Sequence, residues 1–235
     1  MLPATFWAVQ NGRRVVISTN TINLQDQLMS KDIPMLQNLL PFDLRAAIRK
    51  GRSNYLCTRL FQQMRHSGPS DGDEMTVYAR MLQWLPETQT GDVGELPMRS
   101  PRERMVWKKL NAESSGCTSM MCAEENCPLH VAKRQAELAH VVVVNHSLLL
   151  ADVANPNSVL PDFLDVIVDE AHHLESAVTS GLSFRADKRT LESILDELTS
   201  TRSGVVANLE PRARANLPQE VIDRLMDCIN KVRRA

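Results

Sequence analysis

Three short apolar runs stand out along the chain, and each is followed at once by polar residues. The runs occupy residues 15–17, 141–144 and 166–168. Continuous apolar runs of this length are typical of parallel strands that are buried on both faces of a sheet. The pattern therefore predicts a parallel α/β sheet with polar residues at the carboxyl ends of its strands.

Helical patterns surround these runs. Residues 4–10 have the composition of the last turns of a helix that ends at Asn11 and Gly12, because glycine readily adopts the left-handed conformation of helix ends. A second helix is expected to begin near Ile22. Two later segments follow the i, i+3, i+4, i+7 spacing of an amphipathic helix: Leu191, Ile194, Leu195 and Leu198, and then Val221, Ile222, Leu225 and Ile229.

Residues 50–135 have a different character. They contain turns rich in glycine, serine, proline and acidic residues, such as residues 67–73, with short helical stretches between them. Four of the five cysteines also lie here. This region is therefore predicted to be an insertion with its own folding nucleus.

Composition narrows the classes of protein. Hydrophobic residues make up 43% of the 235 residues, which predicts a folded core. Lys plus Arg is 27 against 28 for Asp plus Glu, so nucleic acid would be bound by local basic patches. The apolar runs are too short to span a bilayer, and the N-terminus has no signal-like pattern. A cytoplasmic protein with no membrane partner is expected, in which cysteines serve metal or redox chemistry.

The cysteines form a spaced constellation. Cys117, Cys122 and Cys127 are separated by four residues in each gap, and Cys57 lies sixty residues before Cys117. Four thiolates can complete an iron–sulfur cluster, whereas zinc knuckles usually use closer pairs. Zinc remains an alternative, with His130 and His140 as alternative ligands. Cys228 lies on a helical pattern and is predicted to be a small buried apolar residue.

Asp169-Glu170-Ala171-His172 directly follows the third apolar run. Reactive groups of open α/β sheets lie beyond the carboxyl ends of strands. Asp169 can hold Mg²⁺, Glu170 can orient and deprotonate a water that attacks a phosphoanhydride, and His172 can sense the phosphate end. The alternative is a solvated helix start, where acidic residues are favoured by the helix dipole.

Two segments are candidates for contact with nucleic acid. Ser18, Thr19, Asn20 and Thr21 offer short hydroxyl and amide groups at a strand end, which suit phosphate oxygens. The second is a basic run around Trp107, in which charge is combined with one stacking face. Its basic residues are Arg99, Arg102, Arg104, Lys108 and Lys109. The alternative for this run is an ordinary solvated helix face, since Glu103 dilutes its charge.

Together these pieces resemble the DinG-type branch of the XPD-like iron–sulfur helicases of superfamily 2. Residues 15–28 resemble the family's motif Ia, and residues 168–175 resemble its Walker B (DEAH-box) segment. Residues 51–57 resemble the segment that carries the first cluster ligand, and residues 143–152 resemble the return to the motor domain. The resemblance covers roughly residues 5–180.

The resemblance implies an α/β fold with four parts. Residues 1–50 and 136–180 would form part of a RecA-like motor domain, residues 51–135 an inserted iron–sulfur domain, and residues 181–235 the start of a helical arch domain. Cys57, Cys117, Cys122 and Cys127 would hold a [4Fe-4S] cluster. The implied reaction is ATP- and Mg²⁺-dependent translocation on single-stranded DNA and unwinding at duplex junctions, 5′ to 3′, in DNA repair or replication by a monomer.

The chain departs from the family in two ways. It contains no G-x-x-x-x-G-K-[ST] phosphate-binding loop and no second motor domain, so it is expected to be an inactive internal fragment. Its Arg102, Lys108 and Lys109 are the basic residues predicted to contact DNA. Two alternative functions stay open: a non-catalytic metal-bearing module that binds single-stranded nucleic acid, and a zinc-stabilised interaction protein.

Overall fold

A computed structural model describes residues 1–69, 71–113, 127–154, 159–182 and 218–234. The chain divides into two compact units, Met1–Leu182 and Ser183–Ala235. The first unit contains the sheet, and its described residues form four clusters of buried apolar side chains. The second is described by one helix.

The first unit is organised on a four-stranded parallel sheet. Its strands are β1 (Val15–Thr19), β2 (Ala46–Ile48), β3 (Val141–Asn145) and β4 (Asp165–Val168). They lie in the order β2-β3-β1-β4, and all pairs are parallel. Val15 of β1 is level with Val141 of β3 on one side and with Asp165 of β4 on the other. The predicted parallel α/β sheet is confirmed, and its strands end at one edge.

Burial separates the central strands from the edge strand β4. Every residue of β1 and the four valines of β3 are buried. In β4, however, Val166 is 47% exposed and Ile167 is 38% exposed. The prediction that residues 166–168 form a strand is correct, but the prediction that this strand is buried is wrong. The reason is its position, because β4 pairs only with β1 among the described strands. The short strand β2 was not predicted from its pattern.

Helices flank the sheet on both faces. The helix predicted to end at Asn11 is α1, with Asn11 as its C-cap and Gly12 at φ +59°. The helix predicted near Ile22 is α2, and it continues through one π-helical turn, Leu28–Asp32. The helices that accompany the sheet are α1 (Leu2–Gln10), α2 (Ile22–Gln27), α3 (Ile33–Leu39), α8 (His146–Ala154) and α9 (Leu174–Leu182).

The segment between β2 and β3 has its own apolar cluster. Its helices are α4 (Thr58–Ser67), α5 (Gly72–Trp84), α6 (Pro101–Leu110) and α7 (Pro128–Leu138). The buried residues Leu56, Phe61, Met81, Trp84 and Trp107 belong to one cluster drawn only from residues 56–110. This is a separate nucleus of the kind that the sequence predicts for an insertion. The division into four domains remains a prediction.

One buried lysine joins this segment to the sheet. Lys50 follows β2 and is 3% exposed, and its Nζ lies 2.8 Å from Asp26 of α2 and 2.5 Å from Asp92 of the insertion. Burial by itself lowers the pKa of Lys50, but the hydrogen bonds and charges of the two carboxylates outweigh it and leave the pKa raised. The lysine is therefore charged at neutral pH, and its stabilising effect is lost only as pH rises through that raised pKa.

The second unit is described through the helix Gln219–Arg234, which confirms the helical pattern at 221–229. Cys228 is exposed, so the prediction that it is buried is wrong. Helical periodicity sets which residues share a face, but it does not say whether another element covers that face. The pattern at residues 191–198 lies outside the described residues. No helix in the described parts of the chain is long and apolar enough to cross a membrane.

Replacing Lys50 with Met should destabilise the first unit strongly. The substitution leaves Asp92, which is 8% exposed, as a buried carboxylate without its cation. Losing one partner of a buried ion pair costs about 3 kcal/mol. Urea unfolding of the chain, followed by tryptophan fluorescence, measures this loss.

Asp26→Asn is the matched control, because the Asp26 side chain is half exposed. An exposed partner contributes only about 0.2–1 kcal/mol. If Lys50→Met cost no more than Asp26→Asn, Lys50 would not tie the insertion to the sheet.

Candidate functional site

The acidic turn lies at the carboxyl end of β4. The main-chain N–H of Asp169 donates to the Ser18 carbonyl over 2.8 Å, which continues the ladder between β1 and β4 by one residue. One carboxylate oxygen of Asp169 accepts a hydrogen bond from the N–H of Glu170 over 3.1 Å. Both carboxylates are exposed at the sheet edge. Two adjacent carboxylates in this position can hold a metal ion and orient a water molecule.

Glu170 has a strained backbone. Its φ of +51° and ψ of +44° are left-handed, and it is the one non-glycine with positive φ in the part of the chain that the structure describes. Such a conformation costs of order 1–3 kcal/mol and is found preferentially at functional sites. The turn reverses the chain into the 3₁₀ turn Ala171–His173 and then into α9.

The two histidines of this turn lie against each other. The ring centroids of His172 and His173 are 4.0 Å apart, and Nε2 of His173 is 4.0 Å from a carboxylate oxygen of Glu170. Asp169, Glu170 and His172 are thus brought together within one exposed turn. Their catalytic roles remain a prediction.

The predicted DNA-contacting residues 18–21 fall into two groups. Ser18 and Thr19 are fully buried, and the hydroxyl of Thr19 donates to the Thr21 carbonyl over 3.2 Å. Asn20 is half-buried and Thr21 is exposed, although the Thr21 hydroxyl also accepts from the N–H of Leu24 to cap α2. In this structure, the accessible polar groups at the end of β1 are therefore those of Asn20 and Thr21.

The predicted basic run forms α6, but its central aromatic residue faces inward. Trp107 is 6% exposed, packs in the insertion's core and donates its indole N–H to the Ser53 carbonyl over 2.8 Å. The proposed stacking face of Trp107 is therefore not available in this structure. A tryptophan at a helical spacing that matches Val106 and Leu110 is more easily explained as core.

The charges of α6 are partly neutralised within the insertion. Arg102 lies 3.5 Å from Asp73, and Lys109 lies 2.7 Å from the buried carboxylate of Glu74. Glu103 is also turned inward. A hydrogen bond from the Arg99 N–H, followed by its contacts with Arg80, holds the pKa of Glu103 below its ordinary value. Glu103 therefore dilutes the surface charge of the run less than its sequence position suggests.

Arg104 and Lys108 border a groove of about 610 Å³ beside this helix. Its other walls come from residues of the 3₁₀ turn Val93–Glu95, the segment after it and the end of α6: Val93, Leu96, Pro97, Met98, Trp107 and Asn111. Ser53, Gly94 and the carboxylate of Glu113 complete the lining. A largely apolar groove with two cations against one carboxylate suits a polyanion with flat rings better than a purely solvated helix face does.

Two of the four predicted cluster ligands are described, and they lie together. Cys57 and Cys127 are both buried in one small cluster with Tyr55 and Ala112. Each is the residue before a helix, Cys57 before α4 and Cys127 before α7. Helix N-termini favour negatively charged groups, which suits thiolate ligands.

The remaining ligands, Cys117 and Cys122, lie outside the described residues. Within the described ranges, no group of three or more His, Cys, Asp or Glu side chains is arranged to hold a metal ion. The two described thiols, with two more cysteines in the chain segment that joins Ala112 to Cys127, fit a four-thiolate site. His140 points elsewhere, because its Nδ1 accepts from the N–H of Arg45 and its Nε2 is 3.0 Å from the Arg45 guanidinium.

Gly91 keeps the two described cysteines in register. Its carbonyl accepts from the N–H of Leu56, next to Cys57, over 3.0 Å. Its φ is +64°, and a Cβ built there would overlap the ring of Pro128, next to Cys127. Any larger residue at position 91 must therefore displace one of the two segments that carry the thiols.

Two buried polar residues near the sheet edge had no role assigned from sequence. Gln25 donates to the Arg49 and Val143 carbonyls over 3.2 and 3.4 Å, which fastens α2 to the sheet. His146 follows β3 directly, and its Nδ1 is 2.7 Å from the Ser18 hydroxyl. The signal for His146 was its position, since it is a polar residue two positions after the apolar run 141–144.

Comparisons with known proteins match this chain to one family over most of its length. A family model described as DEAD_2 matches residues 103–191. The 3'-5' exonuclease DinG of Bacillus subtilis is 33% identical over 99% of this chain, which covers 25% of that protein. The ATP-dependent DNA helicase DinG of Salmonella typhimurium is 29% identical over 80% of this chain and 28% of that protein. The ATP-dependent DNA helicase YoaA of Haemophilus influenzae is 32% identical over 69% of this chain and 26% of that protein.

The chain therefore spans about a quarter of the length of these curated relatives. The match with the Bacillus protein extends over both compact units, whereas the family model ends shortly after α9. The relatives' names include both a helicase and an exonuclease, and those activities belong to the relatives.

Proposed function

Since the chain belongs by sequence to the DinG-type helicases, we propose that it is part of an ATP-dependent DNA helicase. Within the complete protein it would supply one side of the ATP site, an iron–sulfur insertion and part of the DNA path. Translocation along single-stranded DNA in the 5′-to-3′ direction and unwinding at duplex junctions are parts of the same proposal.

The observation that carries the proposal is the exposed turn after β4. Asp169 and Glu170 stand at the edge where the parallel strands end, and the Asp169 main chain is fixed to β1. Asp169 would hold Mg²⁺, and Glu170 would orient the attacking water and take its proton. The left-handed backbone of Glu170 supports a functional role, because a solvated helix start does not require this conformation.

Phosphoryl transfer requires that the phosphates be gripped as well as that water be aligned. A cradle of main-chain N–H groups with a lysine usually performs the gripping. None of the nine glycines in this sequence belongs to such a loop, so another part of the complete protein would supply it. The exposure of β4 supports this division, because the apolar side chains of Val166 and Ile167 are left for a further element to cover.

The insertion would hold a [4Fe-4S] cluster through Cys57, Cys117, Cys122 and Cys127. Burial of Cys57 and Cys127 in one small group of apolar residues supports this ligand set. The close approach of Gly91 to Pro128 explains how the spacing of the two cysteines is maintained. Once bound, the iron–sulfur cluster would cross-link the segments that carry the four cysteines.

The groove beside α6 is the proposed DNA-contacting surface of the insertion. Arg104 and Lys108 border it directly, whereas Arg102 and Lys109 form ion pairs with Asp73 and Glu74. The alternative of a non-catalytic module that binds single-stranded nucleic acid shares this groove. It differs in requiring no hydrolysis at Asp169 and Glu170.

The test of the ATP site compares two proteins. Residues 1–235 alone should bind ATP weakly and show no DNA-stimulated hydrolysis. The complete protein, with a phosphate-binding loop and a second motor domain, should hydrolyse ATP. In it, Glu170→Gln should lower kcat by at least about 10²-fold, since the amide cannot take a proton, while nucleotide binding is retained.

Glu175→Gln on α9 is the control for Glu170→Gln, because it removes an exposed carboxylate five residues away. Robust ATPase activity of residues 1–235 that survives Glu170→Gln would show that the site is misassigned. DNA binding by the complete protein without any hydrolysis would favour the non-catalytic module.

The cluster is tested by its metal content. Protein purified without oxygen should be brown and contain iron and sulfide, and Cys122→Ser should lower both. Gly91→Ala should have a similar but weaker effect, because its Cβ would displace Pro128 and therefore Cys127. Gly72→Ala is the matched control, since a Cβ at Gly72 meets no atom within 4 Å. Stoichiometric zinc without iron would contradict the proposal.

Reversing the groove charges with Arg104→Glu and Lys108→Glu together should weaken binding of single-stranded DNA about tenfold at low salt. The slope of log affinity against log salt should fall by roughly 0.7 for each phosphate that the groove no longer neutralises. Lys133→Glu, which reverses an exposed charge on α7, is the control. Equal affinities for the double variant and the control would rule out this groove as the DNA-contacting surface.

A further inference from the structure

Ser18 fastens the carboxyl ends of three strands to one another. It lies in β1, which pairs with β3 and β4. Its carbonyl accepts from the N–H of Asp169 over 2.8 Å, and its hydroxyl lies 2.7 Å from Nδ1 of His146. Main chain and side chain of one residue therefore bind the residue after β4 and the residue after β3.

The bond between Ser18 and His146 is shielded from solvent. Ser18 is 0% exposed and His146 is 1% exposed. Within the described residues, Ser18 is the hydrogen-bond partner of the imidazole, because Nε2 of His146 contacts no donor or acceptor there. A buried bond of this kind is costly to break, since no water replaces the lost partner.

The same residue leads directly into the predicted DNA-contacting segment. Thr19 follows Ser18, and its hydroxyl donates to the Thr21 carbonyl, while Thr21 caps α2. A displacement of Asp169 relative to β1 must therefore either break a buried hydrogen bond or move the start of this segment. Because β1 lies between β3 and β4, Ser18 has the acidic turn on one side and His146 on the other, and it precedes the accessible Asn20 and Thr21 in the chain.

We infer that His146 is a positioning residue, which acts through Ser18 to link the state of the acidic turn to the DNA-contacting end of β1. It touches neither the nucleotide nor the DNA in this role. The inference rests on the proposed function, because it concerns how hydrolysis at Asp169 and Glu170 responds to DNA. It adds a specific pair of residues through which that response passes.

The first test measures the ratio of DNA-stimulated to basal ATP hydrolysis in the complete protein. Ser18→Ala and His146→Phe each remove the bond and should lower this ratio about five- to tenfold, a change typical of coupling between two sites. His146→Asn should retain most of the stimulation, because its amide offers a polar atom near the position of Nδ1. Ser147→Ala, which changes the exposed neighbouring serine, is the control.

A purely structural role predicts a different result. It would lower the stimulated and basal rates together and would leave their ratio unchanged. An unchanged ratio in both Ser18→Ala and His146→Phe would overturn the inference. The inference would be supported if Ser18→Ala and His146→Phe lost DNA stimulation while His146→Asn retained most of it.

The second test uses residues 1–235 and does not depend on ATP hydrolysis. Hydrogen exchange should become faster in Ser18→Ala and His146→Phe at the turn 169–173 and also at residues 19–24. The core of the insertion should exchange at the rate of the unchanged chain. Unaltered exchange at either end would overturn the link between them.

The two tests separate this inference from the proposed function. If the unchanged complete protein did not hydrolyse ATP, the proposed function would fail, and hydrogen exchange alone would decide whether Ser18 and His146 join the two ends. If it hydrolysed ATP with DNA stimulation and the variants behaved like Ser147→Ala, only the inference would fail.

Discussion

Parallel pairing of β1 with both β3 and β4 brings the strand ends to one edge of the sheet, and the candidate ATP site depends on this alignment. Because Val15 is level with Val141 and Asp165, residues that are more than a hundred positions apart in sequence emerge side by side. The ladder continues for one more residue through Asp169, which fixes the first carboxylate of the acidic turn. The main-chain pairing therefore sets the positions of the residues at this edge, and their side chains determine its chemistry.

Among the described residues, the buried Lys50 links this sheet to the insertion by ion pairing. Lys50 neutralises Asp92, which in turn accepts the Gly94 N–H at the start of a 3₁₀ turn. That turn and the preceding Gly91 lie beside the segment that carries Cys57. Apolar packing adds to this link, because Ala136 of α7 lies in one cluster with Ala47 of β2 and Val142 of β3. The insertion is thereby given a fixed orientation relative to β2. Ion pairing of this kind specifies geometry more than it adds net stability.

The sequence predicted the parallel α/β sheet and the positions of three of its strands because short, continuous valine and isoleucine runs are characteristic of strands in such sheets. It did not predict β2, whose three residues are too short for a pattern, or the exposure of β4, which depends on strand order. Trp107 and Cys228 show the same limit, since periodicity identifies a face of a helix but not what covers it. Ser18 was assigned to DNA from its residue type, whereas its burial and its bond to His146 depend on a residue 128 positions away. The candidate cluster ligands and the candidate ATP site were predicted directly from residue types and their spacing. The exposed, adjacent carboxylates of the acidic turn are compatible with an ATP site there.

The exposure of β4 at the edge of the sheet also affects how the protein behaves in solution. As the edge strand of the described sheet, β4 offers main-chain groups and apolar side chains to which the same strand of another molecule can pair. Concentrated solutions of residues 1–235 should accordingly be prone to edge-to-edge self-association. A charged residue placed at Ile167, which is 38% exposed, would discourage such pairing and improve the behaviour of the chain during purification.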